Sequence, residues 1–115
     1  KAKGGTVNPS DDAEHTVNLR VTQPAENSKI QVSVVFNTVS SNKEDTADNF
    51  VNAVNDLGLN GLKAYTNSKD EIVLEHTLGG DIHLNNAVGD SVLDALGFKD
   101  GYDATLWQGY ENPEE

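Results

Sequence analysis

The sequence contains no cysteine and no methionine. Disulfides and thiolate metal sites are therefore excluded, and the redox compartment is left open. Basic residues are scarce: 8 Lys and Arg stand against 19 Asp and Glu, for a formal net charge of −11. The few cations are scattered along the chain and form no phosphate-binding stripe, which argues against nucleic acid or an anionic membrane as partner. Aromatics are limited to one Trp, three Tyr and three Phe, so Val, Leu, Ile and Ala must supply the core. No apolar run approaches the ~20 residues needed to span a bilayer. The opening KAKGG carries no signal-peptide apolar region, and a chain without any Met is expected to be an excised domain or a processed product.

What remains suits one domain, since 115 residues can bury an autonomous core but not a second folded unit of any size. The acidity reads as a solvated surface, or more sharply as attraction for a cation or a basic partner. Residues 1–14 are polar and end in an acidic run, which predicts a flexible lead-in before a single domain at 15–98. His15–Thr22 alternates, with Val17, Leu19 and Val21 on one face. Lys29–Val39 alternates again through Ile30, Val32, Val34 and Phe36. Joined by a loop containing Pro24 and Asn27, the two predict an antiparallel hairpin. Val35 interrupts the polar face of the second strand, which calls for a partner layer or a bulge at that point.

Ser41-Asn42-Lys43-Glu44 fits a capping box with Ser41 as the cap. The helix that follows runs to about Leu57 and carries Ala47, Phe50, Val51, Val54 and Leu57 as an apolar stripe, with Gly58 as its stop. Strands are predicted at Leu62–Thr66, Glu71–Thr77 and Asp81–Asn85, with a reversal at Gly79-Gly80 and a short second helix over Ser91–Leu96, capped by Asp90 or Ser91. The expected fold is α+β, a small, mostly antiparallel sheet covered by one main helix in the order ββαβββα. Its interior should gather Phe50, Val54, Ile72, Leu74, Ile82, Leu84 and Leu96. Residues 99–115 read as a polar acidic tail.

Candidate chemistry is sparse. His76 and His83 are expected to approach one another across the Gly79-Gly80 turn, where carboxylates nearby in sequence could help them hold Zn²⁺, but no third ligand stands out. With His15, these are the only near-neutral titrators of the chain. The acidic run after Asp100 fails as an EF-hand loop because its sixth position is not glycine. Neither a nucleophile elbow nor a P-loop pattern is present, and every carboxylate lies in a polar run, at a cap or on a solvent face. The expectation is no catalytic residue, no cofactor and no metal. Tyr102, Trp107 and Tyr110, interleaved in the acidic tail, form a candidate aromatic platform for a protein or sugar; the alternative is that Trp107 folds back over a sheet edge.

The run from Ala47 to Phe98 contains Phe50-Val51-Asn52-Ala53-Val54-Asn55, then Leu62-Lys63-Ala64, Ile72-Val73-Leu74-Glu75-His76-Thr77, Gly79-Gly80-Asp81-Ile82-His83-Leu84, and a closing Gly89 through Leu96-Gly97-Phe98. In this order the text resembles the flagellin hook (IN-motif) family, whose modules occur as inserted domains in flagellin and filament-cap proteins. It is also similar to segments of tail-sheath and other virion proteins of T4-like phages. Val54 departs from the flagellar pattern, which prefers Ile there, and the long terminal coiled-coil segments of a flagellin are absent.

The resemblance implies a non-enzymatic structural or surface-display role on a virion surface, within the tail sheath or a related component. Other virion subunits would be its partners, with a host-surface ligand as a further one. An outer domain of a bacterial flagellar protein, in an extracellular filament with filament subunits as partners, is the nearest alternative. A free-standing carbohydrate- or protein-binding domain and a metal-dependent enzyme using His76 and His83 are the more distant ones.

Overall fold

The computed structural model describes residues 2–23, 28–99 and 101–104. The fold is α+β, with one main helix and strands that pair antiparallel throughout. The predicted hairpin forms: β2 (Glu14–Gln23) pairs with β3 (Ser28–Asn37) in one unbroken register, from Glu14 opposite Asn37 to Gln23 opposite Ser28. No bulge occurs at Val35, which lies opposite Thr16. On the other side of β2 runs β6 (Ile82–Asn86), followed by β7 (Tyr102–Ala104). These make a four-stranded sheet in the order β3-β2-β6-β7.

The remaining strands form a second sheet rather than extending the first. β5 (Ile72–His76) is its centre, flanked by β4 (Leu62–Thr66) and by β1 (Ala2–Lys3). β1 explains the division. Ala2 and Lys3 sit opposite Leu74 and Val73, so the edge of β5 on which β6 would have continued is already taken. The chain turns at Gly79-Gly80 and crosses to the other sheet instead.

The predicted lead-in is thus part of the fold. Gly4 N–H donates to the Ile72 carbonyl (2.8 Å), Gly5 N–H to Gly97 (2.9 Å) and Asn8 N–H to Ala95 (2.7 Å). Ala2 and Val7 are buried in the core. Four glycine-rich, weakly apolar residues gave no periodic signal, because their order comes from backbone pairing with distant partners. The predicted tail likewise begins with a strand, β7; its remainder, 105–115, lies outside the described residues.

α1 (Lys43–Asp56) bridges the open side of the two sheets. Its cap is Asn42, one residue later than predicted: the Asn42 carboxamide accepts from Asp45 N–H at 3.0 Å. Thr46, fully buried, fixes the entry by accepting from Val39 N–H (2.9 Å). Glu44 and Asp45 place negative charge at the favourable end of the helix. Gly58 ends it with φ +67°, a left-handed conformation open to glycine at little cost. Phe50 drops into the interior and meets Phe36 edge-on, with centroids 5.1 Å apart and an interplanar angle of 75°. α2 is a single turn, Val92–Ala95, that delivers Leu93 and Leu96 to the same core. All seven residues expected inside are buried together.

Candidate functional site

The histidine pair expected across Gly79-Gly80 does not form. His76 is in β5 and His83 in β6, which belong to different sheets. His76 is buried at the crossing between them. Its Nε2 lies 2.8 Å from the Thr22 carbonyl, which can only accept, so Nε2 carries the hydrogen and Nδ1 accepts from Leu78 N–H (3.3 Å). Gly61 and Gly80 press on the ring, leaving no room for a Cβ on either side. His76 therefore ties β5 to β2. His83 alternates with buried Ile82 and Leu84 on the outer face of the four-stranded sheet, in register with Arg20.

The constellation that sequence reasoning missed is around His15. Its Nδ1–H donates to Asp90 Oδ1 (2.9 Å) and its Nε2–H to Asp11 Oδ1 (3.0 Å). Two carboxylates on the two ring nitrogens require an imidazolium between them. Asp90 also accepts from Thr16 N–H (3.1 Å) and Val92 N–H (3.0 Å), while Thr38 Oγ1 lies 2.9 Å from Asp11 Oδ1. Burial opposes the charge on His15, but the Asp11 and Asp90 hydrogen bonds outweigh it and raise its pKa above 6.5. The hydrogen bond from His15, with Thr38 second, holds Asp11 below the usual carboxylate range. Partial burial pushes Asp90 upward, yet the donors from Thr16, His15 and Val92 bring it below its ordinary value. Asp11 was visible as a neighbour of His15 in sequence; Asp90 was not, because only the β2–β6 pairing brings it there.

Chemically, this cluster is a clamp. Both nitrogens of His15, like both of His76, are engaged within the fold, so neither ring is placed to take a proton from a substrate. Among the described residues, no three His, Asp or Glu side chains are grouped to hold a metal ion. A surface groove of about 350 Å³ lies elsewhere, beside the end of β3, lined by Phe36, Asn37, Asn49, Asn52, Ala53 and Asp56.

Tyr102 lies in β7, and its side chain, together with Trp107 and Tyr110, falls outside the described residues. Comparison with family models, curated proteins and solved structures finds no match to this chain.

The edges of the two sheets are treated differently. At β4, the Asn55 side chain of α1 donates to the Ala64 carbonyl (3.0 Å) and accepts from Ala64 N–H (2.9 Å), filling both outward positions as a neighbouring strand would. At β3, among the described residues, cover is seen at the last residue alone, where Asn49 donates to the Asn37 carbonyl at 3.0 Å. The Thr38 N–H to Ala13 carbonyl bond (2.9 Å) sets the alternation of the β2–β3 ladder. Residues 30, 32, 34 and 36 bond to β2, and the N–H and C=O of Gln31, Ser33 and Val35 point away from the sheet.

Proposed function

We propose that this chain is a non-enzymatic structural module displayed on a larger assembly, a virion protein of the tail sheath or a related surface component. One observation carries the reading. The Gly5–Gly97 hydrogen bond (2.9 Å) holds the first strand's exit beside the segment leading to the last strand. A bond that draws together the segments next to the first and last described strands supports a module built into a loop of a parent protein. The use of His15 and His76 as clamps supports the non-enzymatic part, and the net charge of −11 suits a surface that faces solvent in many neighbouring copies.

Antibodies raised against the purified chain and viewed by immuno-electron microscopy test the proposal on particles and filaments from the source. Gold along phage tails is the expected result. Gold confined to flagellar filaments would move the module to a flagellar outer domain, and gold on neither overturns the assembly role.

A further inference from the structure

We propose that two copies of this chain join along β3, antiparallel about a two-fold axis, so that their four-stranded sheets become one continuous sheet. The inference rests on the reading of the chain as an assembly module and names the partner: a second copy.

Three observations converge on this edge. First, β3 is ten residues long and terminal in its sheet, and among the described residues the outward backbone groups of Gln31, Ser33 and Val35 meet no strand, helix or side chain of the fold. Native folds blunt such edges with charge, proline, a bulge or a covering element. β4 has its Asn55 cover; among the described residues, β3 has none of these along Gln31–Val35.

Second, Val35 is 50% exposed on the outer face. The unbroken register excludes a bulge as its reason, so the apolar face around it is left without cover among the described residues. In an added antiparallel strand its side chain would pack against a cross-strand partner.

Third, charge selects the occupant. The longest stretch of the chain without an acidic residue runs from Asn27 to Lys43 and contains the whole of β3. Two bodies each carrying −11 repel wherever carboxylates meet, and β3 is where they can touch without that opposition. A two-fold axis makes the contact self-complementary and closed, so it ends at a pair. Within a particle, it would couple neighbouring modules through backbone hydrogen bonds that ask little of side-chain sequence.

The test uses the full chain. Sedimentation equilibrium over a micromolar-to-millimolar range is expected to show the mass rising from 12.3 kDa toward twice that value. Backbone amide exchange of Gln31, Ser33 and Val35 should slow at the high end of the range. Val35→Pro removes one outward N–H without taking a bond from the β2–β3 ladder, and Val35→Glu adds a carboxylate while leaving the backbone intact. Both should remain single chains with the remaining outward amides unprotected, and at concentrations low enough for the parent to be single the melting temperature of Val35→Glu should match the parent's. A pair that survives both variants with exchange unchanged overturns β3 as the contact while leaving an assembly role intact. A chain that stays single at every concentration overturns the pairing, and immunogold labelling then decides the module reading independently.

Discussion

His15 links three separate parts of the chain: the segment before β2, β2 itself and the loop before α2. Its raised pKa means that folding favours the imidazolium, so this contribution is complete below 6.5 and disappears as pH climbs through the raised value. Asp11 and Asp90 have lowered values, so theirs is present above 3.8 and lost as pH falls through the lowered ones. All three act together between 3.8 and 6.5. A His15→Gln variant should show its largest melting deficit inside that window and a shrinking one at alkaline pH. A deficit that stays constant with pH would assign the clamp to packing alone.

Two glycines offer a second test at this scale. Gly89 and Gly97 share nearly the same conformation, φ +83° and +87°. A Cβ on Gly89 would meet open space, whereas one on Gly97 would lie 2.6 Å from the Gly5 backbone. Gly89→Ala should cost about 1–2 kcal/mol of backbone strain. Gly97→Ala should exceed it by about 1–3 kcal/mol, because the Gly5 segment must be displaced. Urea titration of the two variants measures the difference, which isolates the hold on the first strand.

Among the elements, α1 does two jobs with residues of different visibility. Its apolar stripe is periodic, and Phe50 and Val54 land in the core as the spacing requires. Phe50→Ala should therefore cost about 3–5 kcal/mol, read by denaturant unfolding. Its polar side is not periodic in any informative way. Nothing in the sequence marks Asn55 as the residue that caps the β4 edge, since its partner is the backbone of Ala64. The same distinction runs through the whole fold. The hairpin, α1, β4, β5 and β6 were legible because each repeats apolar residues at the period of its structure. β1, the division into two sheets and the Asp11–His15–Asp90 clamp were not, since each depends on contacts between residues far apart in the chain. Asn55→Ala should lose about 1 kcal/mol for its two hydrogen bonds. It should also leave β4 with an open edge, and a tendency to aggregate that light scattering would detect.

For the molecule as a whole, the imbalance of charge sets the terms on which copies meet. At −11, each chain surrounds itself with a repulsive field that extends about 10 Å at 0.1 M salt and about 3 Å at 1 M. Contacts made by oppositely charged patches weaken as salt rises. A contact made by backbone groups along an acid-free strand behaves in the opposite way, because salt screens the repulsion and leaves the hydrogen bonds in place. The dissociation constant of the pair should fall as sodium chloride is raised, and Val35→Glu should regain some association at high salt while Val35→Pro does not. Sedimentation equilibrium at low and high salt reads both effects. A dissociation constant that grows with salt would mean that the copies meet through ion pairs, which β3 does not supply.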